Sequence, residues 1–235
     1  MIEVGLPGGR VAFSTREGGV SEGPFASLNL GVRTGDDRER VLENRVRMAG
    51  RCLLDPERVA MGWQVHGAEI QEWEAPRPVL TRRGEAHAQV DGHATSLPGL
   101  GLLVLTADCL PVALVGSGRA AMLHCGWKPL AAGIIARALE SFSEPPAAAI
   151  GPGIGPCCYE VGPEVLERFA HHRPSVAVGR MLDLAGVARA QLQEGGVSRI
   201  EHVDLCTSCN AGLFFSHRRD RGVTGRQGGM AWLEA

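Results

Sequence analysis

Apolar residues along this chain come in short runs, each closed by Gly, Pro, Asn or Asp rather than continued. Such runs predict strands over Arg10–Ser14, Val59–Val65, Glu69–Trp73, Gly101–Thr106, Val112–Val115, Ala120–His124, Ala147–Ile150, Arg199–Val203, Leu213–Ser216 and Met230–Leu233. Stretches with helical spacing predict helices over Asp37–Arg51, Pro129–Phe142, Pro163–His171 and Leu184–Glu194. Asp36 or Asp37 suits the N-cap of the first helix and Asp183 that of the last, which Gly195-Gly196 ends. Pro129 suits a first helical turn. Strands do not alternate strictly with helices, so the pattern favours α+β: a single domain over 1–235, its mixed sheets flanked by helices. The linker-like segments Glu74–Gln89 and Ser143–Pro146 are too short to separate domains.

The stretch Gly101–Trp127 holds three apolar runs broken by Ala-Asp-Cys-Leu-Pro and by Gly-Ser-Gly. The second break predicts a hairpin with Ser117-Gly118 as its turn. Counting outward pairs Gly116 with Arg119 and sets Pro111 opposite His124, which brings Cys109 to the same end of the sheet as His124. His66 lies in a break between two predicted strands, where Gly67 permits a sharp turn. Each residue alone also suits a buried structural role. Together, two His and one Cys from separate loops form a ligand set used by catalytic zinc, which keeps one position open. Cys109 with His124 would also serve as a metal-free nucleophile and base.

Composition narrows the classes. The 24 Lys+Arg against 26 Asp+Glu leave a net charge of −2, no footprint for nucleic acid or an anionic membrane. Lys128 is the only lysine and follows Trp127, so there is no phosphate-binding G-K-[ST] loop. No run is long enough for a membrane span, and the N-terminus has no signal-peptide pattern. Seven irregularly spaced cysteines then read as reduced thiols in the cytoplasm. Eight His without a His-x-His pair argue against an oxygen-reducing copper cluster, although copper could occupy a three-ligand site. Gly151–Pro156 is G-x-G-x-G, not the dinucleotide-binding spacing. Cys206–Cys209 is a C-x-x-C and Cys157-Cys158 an adjacent pair; a four-thiolate zinc would need both, and each is a weak half-site alone.

Polar residues add candidate contacts. On the first helix Val41, Leu42, Val46, Ala49 and Leu53 share one arc, with Glu39, Glu43 and Arg47 outside it. Arg45 falls inside the arc and needs an anionic partner, either an Asp or a bound phosphate. Arg16 and Asn29 bracket a Gly-rich loop that could close over a ligand. Gln64, two residues before His66, would share its strand face. Arg218, in His217–Arg221, could bind phosphate, and Asp108 or Glu160 could carry protons.

The segments FSTREGGVSEGPFASLNLG, QVHG, TADCLPV, LHCGW, IGPGIGPCCYEVG, DLCT and FFSHRRDRGVTGR occur in this order from Phe13 to Arg226. In series they resemble the YfiH/laccase-domain family, also described as multicopper polyphenol oxidase-like and regarded as purine nucleoside phosphorylases. The resemblance implies an α+β domain of CNF/YfiH-like cysteine-hydrolase type, and a zinc ion held by His66, Cys109 and His124. It implies phosphorolysis of adenosine, inosine and methylthioadenosine, with adenosine deamination; a copper polyphenol oxidase and a metal-free Cys–His hydrolase are the alternatives. Cys109, His124, His66 and Asp108 would then be catalytic, with Arg16, Asn29, Arg45, Gln64 and Arg218 contacting substrate. The expected partners are purine nucleosides and phosphate, for a monomer or weak homodimer. The chain departs from the family's H-A-G-W-R-G pattern at Cys125, Lys128 and Pro129, which bears on phosphate or base contacts.

Overall fold

The computed structural model describes residues 1–75, 88–172 and 175–234. Most of the linker-like segment Glu74–Gln89 lies outside the described residues. The strands are β1 (Ile2–Leu6), β2 (Gly9–Phe13), β3 (Val59–Ala60), β4 (Ile70–Glu72), β5 (Gly92–Thr95), β6 (Gly101–Thr106), β7 (Leu110–Gly116), β8 (Arg119–Cys125), β9 (Ala147–Ile150), β10 (Ala177–Val178), β11 (Met181–Leu182), β12 (Ile200–His202) and β13 (Gln227–Leu233). The helices are α1 (Arg38–Arg51), α2 (Trp127–Ala131), α3 (Ile134–Leu139), α4 (Pro163–Glu167) and α5 (Leu184–Glu194).

One sheet runs β1-β2-β13-β6-β3 and a second runs β12-β9-β7-β8-β5-β4, with β10 and β11 as a separate ribbon. Both large sheets are mixed: β3 with β6, β4 with β5 and β9 with β12 are parallel, the other pairs antiparallel. Side chains alternate across each strand, so β7 sends Ala113 and Val115 to one core and Val112 and Leu114 to another. The first core lies between the sheets and includes Val11, Phe13, Leu102, Val104 and Met122. The second lies under α2, α3, α4 and α5. A third packs α1, through Met48 and Ala49, on Leu103 and Met230 of the first sheet. The result is four layers, helix–sheet–sheet–helix, an α+β arrangement of mixed sheets flanked by helices.

The hairpin follows the expected register: Gly116 pairs with Arg119, and Pro111 with His124. Asp37 caps α1 by accepting from the N–H groups of Glu39 and Arg40, and Asp183 caps α5 by accepting from Gly186. Other elements differ. The expected helix over Pro129–Phe142 is broken into α2 and α3 at Gly133, whose φ of 80° no other residue takes cheaply. The expected strand over Leu213–Ser216 is a series of turns, with the N–H groups of Leu213 and Phe214 both bonded to the Asn210 carbonyl. Its apolar run exists to bury Phe214 and Phe215, not to pair. The buried face of α1 is Val41, Asn44, Arg45, Met48 and Ala49, and Leu53, expected on it, is 87% exposed beyond the helix end. β1, β5 and the β10–β11 ribbon were not expected.

Candidate functional site

The end of β6, the start of β7, the end of β8 and the start of β13 lie at one end of the sandwich. There the chain encloses a cavity of about 480 Å³, a size suited to a small organic ligand. His66, Cys109 and His124 meet in its wall, with their ligand atoms all within 4.8 Å of one another. Two are fixed by the central hairpin: Cys109 immediately precedes β7, and His124 is the second-last residue of β8. His66 is held in a left-handed turn at φ 60°. Gly126 completes the packing, because a Cβ there would stand 2.7 Å from Cys109 Sγ.

Asp91 organises this cluster. It is fully buried just before β5. Its Oδ1 accepts from His124 Nδ1 at 2.7 Å and from the His66 N–H at 3.0 Å. Its Oδ2 accepts from the N–H groups of Val65 at 3.0 Å and Gly67 at 2.8 Å. Burial disfavours this carboxylate's charge, but His124 and the amides outweigh burial and hold its pKa below the usual value. The bond to Nδ1 leaves His124 Nε2 to face Cys109, the carboxylate–histidine pairing found behind metal ligands. Burial alone would raise the Cys109 thiol; His124 and then His66 overcome it and bring the pKa down to about 6. Burial likewise opposes charge on His124, yet Cys109 and Asp91 raise it to about 9. Two imidazoles, one thiolate and an open side toward the cavity suit a zinc ion with one free position. Sequence reasoning did not single out Asp91. Its signal is an acidic residue inside the apolar stretch Val90–Thr95, where burial demands several donors.

Arginines line the cavity as well. Arg45 is 4% exposed, and its Nε donates to the Leu30 carbonyl at 2.8 Å. No carboxylate among the described residues pairs with it. Burial and neighbouring Arg38 lower its pKa to about 10. Arg226 donates to the carbonyls of Thr224 and Gly225, and its own carbonyl accepts from Leu30, so Leu30 ties the two arginines together. Arg33 lies 3.5 Å over the Trp63 ring at the same cavity. Arg226 also feels the charges of Asp108 and Cys109, so it is Arg45, answered only by a carbonyl, that offers a setting for an anion.

The remaining expected residues divide. Gln64 lines the cavity and clamps Leu105 with both amide atoms, at 2.7 and 2.8 Å, although β3 ends at Ala60 and Gln64 is not in that strand. Arg218 lines it too, stacked over Tyr159 at 5.2 Å and donating to the Glu160 carbonyl. Asp108 lines it at φ 90°, with Oδ1 accepting from the Thr207 hydroxyl and Oδ2 from the Arg218 N–H, both at 2.7 Å. Asn29 stands behind the wall, where its side-chain Oδ1 accepts from the N–H groups of Gly31 and Arg226. Arg16 is not at the cavity. Its guanidinium donates to the carbonyls of Ala26 and Ala211 and lies over Phe215, tying the Gly-rich loop to the body. Glu160 pairs with Arg180 at 3.1 Å and does not line the cavity. Lys128 is exposed, over Trp127, so the departure from the family pattern does not enter the cavity.

The family model described as multi-copper polyphenol oxidoreductase laccase matches residues 10–234. The purine nucleoside phosphorylase YlmD of Geobacillus stearothermophilus is 38% identical over 246 residues, covering 93% of this chain and 88% of that protein. The purine nucleoside phosphorylase YfiH of Escherichia coli is 37% identical over 232 residues, covering 94% and 92%. The crystal structure of Bacillus licheniformis hypothetical protein YfiH matches with a TM-score of 0.89 at 33% identity, over 96% of this chain and 93% of that one. Among the described residues no helix is long and apolar enough to cross a membrane. A match over almost the whole sequence, joined to a shared fold, makes this chain a member of the multi-copper polyphenol oxidoreductase laccase family, the family of the YfiH-type proteins.

Proposed function

We propose that this chain is a zinc-dependent purine nucleoside phosphorylase that acts on adenosine, inosine and methylthioadenosine and also deaminates adenosine. The observation that carries the proposal is one cavity lined both by His66, Cys109 and His124 and by Arg45 and Arg226, of which Arg45 has no carboxylate partner among the described residues. The names of the YlmD and YfiH relatives support the reaction class.

When bound, a zinc ion at His66, Cys109 and His124 supplies a Lewis acid at the cavity wall. Asp91 orients His124 and, through three backbone amides, the turn that carries His66. Arg45 and Arg226 take phosphate, whose charge supplies the anionic partner that Arg45 lacks among the described residues. Trp63 and Tyr159 offer aromatic faces for the purine. Asp108, with both oxygens already accepting, holds the corner that aims Cys109 and acts as a positioning residue.

The test is incubation with adenosine, with and without phosphate, alongside elemental analysis of the same sample. Adenine and ribose 1-phosphate should form only with phosphate, inosine with or without it, and zinc should accompany the activity. Failure to form adenine in the presence of phosphate and zinc overturns the assignment. A metal-free Cys–His hydrolase of CNF/YfiH-like type remains a second reading, favoured by the lowered Cys109 thiol beside His124. Full activity in protein stripped of metal would select it. A copper polyphenol oxidase draws no comparable support from the cavity.

A further inference from the structure

Six of the seven cysteines do not line the cavity; Cys52 and Cys125 are buried singly, and the other four stand together. Cys157 and Cys158 sit in a tight turn after β9, and Cys206 and Cys209 follow β12. The two segments are joined at the backbone by a bridge between Gly153 and Cys206 and by the Thr207 N–H, which donates to the Gly153 carbonyl at 2.9 Å. All four sulfur atoms lie within 4.8 Å of one another.

We propose that Cys157, Cys158, Cys206 and Cys209 form a second metal site, a tetrahedral four-thiolate centre for zinc, separate from the cavity. Zinc–sulfur bonds of about 2.3 Å set tetrahedral sulfurs about 3.8 Å apart. Cys209 Sγ lies 3.5 Å from Cys157 Sγ and 3.4 Å from Cys158 Sγ. A disulfide selects one partner, whereas near-equal approach to two is what a shared central ion requires. Iron–sulfur clusters hold their thiolates on several irons and spread them wider, so a single ion fits better.

The backbone is shaped for thiolates as well. The Gly155 N–H donates to Cys206 Sγ at 3.3 Å, and the Cys209 N–H points to the same sulfur. Amide donors to sulfur offset the charge that ligand thiolates carry. Glycine at position 155 keeps the turn close to the thiols, where a Cβ would stand 3.3 Å from Cys206 Cβ and 3.4 Å from Cys157 Sγ. The Gly155 carbonyl accepts from both Cys158 and Tyr159, which curls the turn so that adjacent cysteines serve one centre. Cys157 and Cys209 are exposed, so an ion from solvent can reach the cluster. Each thiol that ligates releases its proton to solvent.

The centre has a structural use. Tyr159 follows the adjacent pair and lines the cavity, and Thr207, inside the C-x-x-C, holds Asp108 beside Cys109. An ion at the four sulfurs therefore pins two parts of the cavity wall to each other.

The experiment is metal analysis of the intact protein and of two variants. The unmodified chain should hold two zinc ions. Cys206→Ser/Cys209→Ser should lose one and keep the ion at His66, Cys109 and His124, while Cys109→Ala should do the reverse. Cobalt substitution should give a thiolate charge-transfer band that loses most of its intensity in the double variant and little in Cys109→Ala. Should the double variant fail to fold, alkylation of the unmodified protein with peptide mapping decides. Cys157, Cys158, Cys206 and Cys209 should stay unmodified until a chelator is added. Their free alkylation in zinc-loaded protein, their recovery as disulfides, or unchanged metal content in a folded double variant would overturn the site.

Discussion

Asp91 and His124 are bound to each other twice: Asp91 Oδ1 accepts from His124 Nδ1 at 2.7 Å, and the Asp91 carbonyl accepts from the His124 N–H at the same distance. The side chain sets the ring's tautomer while the backbone fixes its position in β8. Asp91→Asn keeps the shape and removes the charge. Metal affinity at the cavity should fall about 10- to 100-fold, the usual effect of losing such a partner. Competition against a chelator reads this directly, and an unchanged affinity would show that Asp91 only braces the loop.

Arg45→Met should separate the two reactions. The methionine replaces the arginine stem with similar apolar volume, so α1 should stay packed. Phosphate affinity should weaken roughly 10-fold or more, the worth of a charge-assisted hydrogen bond of about 1.5–3 kcal/mol. Adenosine deamination needs no phosphate and should be spared. Steady-state kinetics at varied phosphate, with inosine formation as the internal standard, provide the check; equal losses in both reactions would place Arg45 in the fold rather than at an anion.

His124→Ala should abolish both reactions together, since two remaining ligands hold zinc poorly. Measuring adenine and inosine alongside bound metal tests this. Phosphorolysis surviving in metal-free His124→Ala would move that chemistry elsewhere in the molecule.

Gly126→Ala probes packing at the thiolate. Its φ of −84° suits alanine, so the backbone gives no reason for harm. The new Cβ would stand 2.7 Å from Cys109 Sγ and must push it aside. Metal binding should weaken with little change in thermal midpoint. A large fall in the midpoint with metal affinity intact would contradict this reading.

Acid should destabilise the protein through His93. Burial lowers its pKa from 6.5 to about 4, and the Trp73 indole donates to its Nδ1 at 3.2 Å. The unfolded chain takes up this proton near 6.5 and the folded chain only near 4, so stability falls as pH falls across that window. The full effect is about 3 kcal/mol at about 1.4 kcal/mol per unit. Urea unfolding of the parent and of His93→Gln at several pH values checks it, and the same slope in both would assign the acid sensitivity to other groups.

Much of this architecture is legible in the sequence where one local rule acts. The Gly-Ser-Gly break sets the β7–β8 register, and Asp37 and Asp183 mark the starts of two helices. Legibility fails where distant partners decide. β5, Gly-His-Ala-Thr, has no alternation of its own and is a strand because β4 and β8 flank it. Phe214 and Phe215 read as strand yet fill a core from a loop. The meeting of His66, Cys109 and His124 comes out of residue type and motif, but Asp91 serves residues far along the chain, and Arg16 turned out to tie down a loop. Arg45 was visible as a cation on an apolar arc; only the packed structure shows that no carboxylate among the described residues answers it.

The two-residue turn at Ser117-Gly118 also limits how this protein can evolve. Surface turns ordinarily tolerate insertion. Here an extra residue carried through the register would set Leu123 where His124 now stands, exchanging an imidazole for an alkyl group. Loop length at one end of the sheet is thus inherited together with the His–Cys cluster at the other. Lineages that keep the chemistry are expected to keep that turn's length, even where its two side chains drift.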